Sequence, residues 1–118
     1  MNLAELFRHE TDPQELPAGQ TLFKEGEPGE LMYILMSGTV EISVHNRVVE
    51  TAEPGAIVGE MAMIDEGARS ATVVAKSDCK LLVINRRRFN FLIQQTPNVA
   101  LHVMRVIADR LRRTDAIL

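Results

Sequence analysis

From Glu15 to Asn85 the chain is built of short apolar runs separated by glycine and proline, and beyond Asn85 its apolar residues fall at helical spacing. The runs are Thr21-Leu22-Phe23, Leu31 to Met36, Val40 to Val44, Val48-Val49, Ile57-Val58, Ala71 to Ala75 and Leu81 to Ile84. Short runs punctuated this regularly predict the strands of an all-β sandwich or roll. The punctuation is itself physical. Gly26 and Gly29 flank Pro28, Gly38 ends a run, and Glu53-Pro54-Gly55 makes a further reversal; proline fixes φ and glycine admits positive φ, as tight turns require. His45-Asn46-Arg47 lies between two apolar runs and predicts a hairpin tip, with Asn46 in the left-handed conformation.

Helical spacing brackets this region. Leu3, Leu6 and Phe7 predict a short helix over Asn2–His9, stopped by Thr11-Asp12-Pro13. At the other end, Arg86 to Gln95 places Phe89, Leu92 and Ile93 on one side, Thr96-Pro97 breaks the pattern, and a second helix runs on from about Asn98. Along that helix Ala100, Val103, Met104, Ile107, Ala108, Leu111 and Leu118 form a stripe with His102, Arg105, Asp109 and Arg112 opposite, and Val99 and Val106 widen the apolar arc. An arc this broad suits a helix that faces its own roll and also a second surface. The predicted fold is mainly β: an antiparallel, jelly-roll-like β-roll of about eight strands with one short leading helix and two trailing helices. It is one domain over residues 1–118, divided into a leading helix (1–13), the roll (14–85) and a hinge with C-terminal helices (86–118).

Composition narrows the function. A chain of 118 residues, 46% of them hydrophobic, suits one core and one main site. The single cysteine, Cys79, permits no intrachain disulfide and reads as a small buried hydrophobe, pointing to a reducing cytoplasm. The first residues, MNLAELFRHE, lead into no long apolar run, which predicts neither a signal peptide nor a membrane span. Charge is uneven: residues 1–84 carry 6 Lys/Arg against 14 Asp/Glu, and residues 85–118 carry 7 Arg against 2 Asp. An acidic body repels nucleic-acid phosphates, so no direct nucleic-acid binding is expected, and an anionic ligand needs a locally built site. His9, His45 and His102 show no paired ligand spacing and predict no metal or other cofactor, which sets aside the histidine-clustered metalloenzymes built on similar rolls. No nucleophile with a neighbouring base is visible, so catalysis is not expected. Arg86-Arg87-Arg88 and Arg112-Arg113 read as solvated helix faces.

The chemistry concentrates in PGAIVGEMAMIDEGARSATVV, residues 54–74. Gly59 allows close backbone approach, and Glu60-Met61-Ala62-Met63 makes a brief helical turn whose N–H groups attract an anion. Asp65-Glu66-Gly67 forms a loop, and Arg69-Ser70-Ala71 then opens a strand with a cation beside a hydroxyl. Amides, one bidentate guanidinium and one hydroxyl are what a buried phosphodiester requires. Glu60 would repel phosphate and is suited instead to accept a hydrogen bond from a sugar hydroxyl.

Gly59-Glu60-Met61-Ala62, the nine-residue step from Glu60 to Arg69, and Arg69-Ser70-Ala71-Thr72-Val73 resemble the phosphate-binding cassette (59–71 here) of the cyclic-nucleotide-binding domain. That family includes cAMP-dependent kinase regulatory subunits, nucleotide-gated channels and the bacterial catabolite activator, and the likeness covers nearly the whole chain. The resemblance implies that Arg69 pairs with the cyclic phosphate, that Glu60 takes the ribose 2′-hydroxyl, and that the amides of Ala62 and Ala71, with Gly59 shaping the turn, complete the cradle; Met61 is counted among the ligand-binding residues. Ser70 matches a position where a hydroxyl touches phosphate or base. Thr114 matches a threonine that reads adenine, and Asp115 departs from the serine beside it. Val58 replaces a frequent phenylalanine, a change in packing. The implied ligand is cAMP, with cGMP as the alternative, and the implied output is movement of the C-terminal helices, with Leu92, Ile93 and Leu111 repacking. The final helix suggests a homodimer. Two further readings stand beside this one: a domain that keeps the fold for protein contact, and the sensor half of a transcription regulator without its DNA-binding domain.

Overall fold

The computed structural model describes residues 1–10, 12–65 and 67–117, with side chains as far as Thr114. The expected stop at Thr11, the loop residue Glu66, the side chain of Asp115 and the stripe's end at Leu118 lie outside the described residues. Eight strands form two antiparallel sheets. They are β1 (Gln14–Leu16), β2 (Thr21–Phe23), β3 (Met32–Ser37), β4 (Val40–Val44), β5 (Arg47–Ala52), β6 (Ile57–Val58), β7 (Thr72–Ala75) and β8 (Cys79–Ile84). One sheet has the order β1-β8-β3-β6 and the other β2-β7-β4-β5. A short helix, α1 (Leu3–Leu6), precedes them, a 3-10 turn (Glu60–Met63) links β6 to the segment before β7, and α2 (Arg86–Gln95) and α3 (Asn98–Ile117) follow. The predicted β-roll with one leading and two trailing helices is the fold observed.

Strand periodicity explains how this chain fills two cores at once. Side chains alternate between the faces of a strand. In β3, Tyr33 and Leu35 point into the roll with Val40, Ile42, Val58, Val73 and Leu81. Met32 and Ile34, on the opposite face, meet Ile57, Leu82 and Ile84 under a cover of Leu3, Phe89, Leu92, Val99 and Val103. A sheet covered on both sides reads as a continuous apolar run, and Met32–Leu35 is such a run. In β4, by contrast, Val40 and Ile42 are buried while Glu41 and Ser43 between them are not. The two-residue tip of the β4–β5 hairpin places both His45 (φ 51°) and Asn46 (φ 63°) in the left-handed region, with Val44 paired to Arg47. That is the turn whose twist matches a right-handed hairpin.

Two expectations about the helices change. The leading helix is the single turn Leu3–Leu6 instead of Asn2–His9: Asn2 caps it by accepting the N–H of Ala4, and so short a segment is held by tertiary burial of Leu3. On α3 the residues that meet the roll are Val99 and Val103, fully buried, with Val106 and Ile107 beside them. Met104 and Leu111 from the expected stripe are exposed. The tripled arginine is solvated at Arg86 and Arg87, as expected, but its first and third members are also tied down. Arg86 donates to the carbonyls of Met63 (3.1 Å) and Ala62 (3.0 Å), and Arg88 pairs with Glu10 while lying over the Phe7 ring.

Candidate functional site

Arg69 is seated by two glycines and an aromatic ring. The β2–β3 loop grips its main chain from both sides: Gly26 N–H donates to Arg69 O at 2.9 Å, and Arg69 N–H donates to Glu27 O at 2.7 Å. The side chain then turns inward. A Cβ on Gly29 would collide with its Nε, and one on Gly59 would lie 2.8 Å from its Nη1. Gly59 meets a second demand, since it adopts φ 75° at the start of the 3-10 turn. Below the guanidinium lies Phe23, with the charge 4.1 Å from the ring centroid.

Glu60 and Arg69 are the buried charged residues among those described, at 6% and 9% exposure. These are the two side chains singled out in the sequence. Arg69 Nη1 donates to Leu31 O at 2.8 Å, whereas its Nε is buried and has no partner. A buried donor left unsatisfied is rare and costs free energy. Burial holds this guanidinium below the ordinary arginine range, against the opposing pull of Tyr33, Glu27 and Glu60.

Glu60 has a different surrounding. Its carboxylate lies 2.8 Å from Arg110 Nη1 of α3. Arg110 is held on its other edge by Glu50 of β5, which accepts from Nε at 2.9 Å and from Nη2 at 3.3 Å. Arg113 adds a third contact to Glu50 at 2.9 Å. Burial works against charge on Arg110, but Glu60 and Glu50 outweigh it and hold this group above its ordinary range.

A cavity of about 520 Å³ joins these groups. Arg69, Glu60 and the turn residues Met61 and Ala62 form its polar end; Ile42, Val44, Val49 and Val73 form an apolar wall, and Ile107, Leu111 and Thr114 of α3 close it. A cavity of this size suits a small molecule that is anionic at one end and flat and apolar at the other.

Every residue expected at the site lines this cavity: Gly59, Glu60, Met61, Ala62, Arg69, Ser70, Ala71 and Thr114. One is arranged differently from expectation. The N–H of Ala62 donates to Gly59 O at 3.2 Å, so this amide serves the turn itself. The Thr114 hydroxyl donates to Arg110 O at 2.9 Å, which commits its proton and leaves its oxygen as an acceptor. Sequence reasoning missed Arg110, Glu50 and the seat at Gly29. A signal for Arg110 was present: positions 103, 107, 110 and 114 share one helical face, and Val103 is buried.

The chain belongs to the cyclic nucleotide-binding domain family, whose profile matches residues 13–96. It is 36% identical over 104 residues to the cyclic AMP receptor protein of Thermus thermophilus, covering 84% of this chain and 48% of that one. It is 31% identical over 108 residues to a CRP-like cAMP-activated global transcriptional regulator of Mycobacterium tuberculosis, covering 87% of this chain and again 48% of the relative. The chain thus spans about half the length of the curated relatives it matches. Among solved structures, the Thermus thermophilus catabolite activator protein superposes with a TM-score of 0.78 at 34% identity, over 97% of this chain and 55% of that one. Among the described residues, no helix is long and apolar enough to cross a membrane.

Proposed function

We propose that this domain is a cAMP sensor that binds its nucleotide without transforming it. The observation that carries this reading is that the two buried charges, Arg69 and Glu60, line the same cavity, where a guanidinium suits a cyclic phosphodiester and a carboxylate a sugar hydroxyl. Ala71 and Ser70 frame the same end, Glu60 accepts the ribose 2′-hydroxyl, and the Thr114 oxygen accepts the amino group of adenine. The relatives named for cAMP support the choice of base. Two buried charges would be costly to retain in a domain used only for protein contact, which disfavours that reading.

Occupancy passes to the C-terminal helices in this account. The ligand touches both the 3-10 turn and α3, and Arg86 ties the carbonyls of that turn to the start of α2. A ligand shifts such an arrangement only through differing affinity for its two states. Leu101, Met104, Ala108 and Leu111, spaced three and four apart, give α3 an outer seam of coiled-coil type, and Leu101, Met104 and Leu111 are exposed. We assign this seam to a second copy of the chain. Calorimetric titration with cAMP and cGMP, followed by sedimentation, tests the reading. Saturable binding of one nucleotide per chain, tighter for cAMP, is expected from a dimer; no heat with either nucleotide at millimolar concentration overturns it.

A further inference from the structure

We infer that Glu50 is a positioning residue for the sugar end of the cavity, acting on the ligand through Arg110 and Glu60. The inference rests on the nucleotide reading above. Glu50 does not line the main cavity; it lies behind Arg110, beside a smaller hollow of about 140 Å³ next to His102 and Arg113. It therefore has no direct path to a bound molecule, and its effect must travel through its partner.

The geometry gives that effect a definite sign. A guanidinium presents a fixed fork of donors, and the edge formed by Nε and one terminal nitrogen suits both oxygens of a carboxylate. In Arg110 this edge is taken by Glu50, at 2.9 and 3.3 Å, and Nη1 alone reaches Glu60 at 2.8 Å. Two carboxylates thus compete for one cation, and Glu50 holds the edge that grips best. With its charge removed, Arg110 is free to turn that edge onto Glu60 and engage both of its oxygens, which the sugar hydroxyl then has to displace. Side-chain exposures of 17% for Glu50, 15% for Arg110 and 8% for Glu60 place the chain of contacts mostly out of water, where such competition is not screened away. Arg113, half exposed on the same Glu50 oxygen, balances the charge without reaching Glu60.

The test is a two-ligand comparison: dissociation constants for cAMP and 2′-deoxy-cAMP, measured on wild type and Glu50→Gln. A hydroxyl donating to a carboxylate favours cAMP in wild type by about tenfold or more. Glu50→Gln is expected to reduce that preference at least threefold, chiefly by weakening cAMP. The ratio of the two constants is unaffected by partial loss of folded protein, because both constants scale by the same fraction. Should Glu50→Gln not fold, Glu50→Asp carries the same comparison, with the charge withdrawn by one methylene and a smaller fall expected. A ratio unchanged from wild type, with both ligands weakened equally or not at all, overturns the role of Glu50 and leaves the nucleotide reading standing. A wild type that binds neither ligand overturns both.

Discussion

The two ends of the cavity each hold an arginine, and the two are treated in opposite ways. Arg69 has one carbonyl, an aromatic ring and an unsatisfied Nε, and its burial disfavours its charge. Arg110 has two carboxylates on three of its donor contacts, and its charge is favoured despite burial. The first group is kept incomplete by the fold and the second is completed by it. The two guanidiniums therefore differ in their partners: Arg69 gives its hydrogen bond to the Leu31 carbonyl and has one donor to spare, whereas Arg110 is held by two carboxylates.

This contrast is sharpest in stability. Arg110→Gln leaves Glu50 and Glu60 without their shared cation, and is expected to cost about 2 kcal/mol, less than a fully buried pair because both acids keep some contact with water. Thermal melts should show a fall of roughly 6–12 °C in Tm. An unchanged Tm would mean that Arg110 is no more committed to the protein than Arg69.

A smaller effect tests the ground behind Arg110. His102 beside it is held below the ordinary imidazole range by burial, then by the N-terminal amino group and Arg105. Glu50, Asp109, Arg110 and Arg113 share the small hollow with it. The unfolded chain takes up the proton more readily than the folded one, so stability is present above the ordinary imidazole range and declines as pH falls through it. Melts between pH 7.5 and 5.5 should show a small loss of Tm in wild type and a flatter profile in His102→Gln. Equal slopes would remove His102 from the account.

Much of this was legible because strand periodicity and local chemistry write themselves into short windows of sequence. The alternation in β4, the unbroken run in β3 and the clustering of Gly59, Glu60, Arg69 and Ser70 all lie within such windows. What was not legible depends on distance in the chain. Gly29 reads as a turn residue, and only the fold shows that its missing Cβ makes room for a side chain forty positions later. Glu50 reads as one more acid on an acidic body, because its partners are about sixty residues away on α3. The division of α3 into an inner and an outer face failed in the sequence for a related reason: with apolar residues around most of the helix, periodicity alone does not say which side the roll covers, and Val99 and Val103 proved to be that side.

The central claim is that Arg69, buried at one end of the cavity, is there to pair with a phosphate. Its most direct test is to measure cAMP affinity and Tm together for wild type and Arg69→Gln. The account predicts a loss of affinity of about a hundredfold, in line with removal of a charge-assisted contact in a buried site, with Tm little changed because a buried charge disfavoured by its burial is exchanged for the loss of its contacts with Leu31 and Phe23. Equal affinity in the two proteins would contradict it.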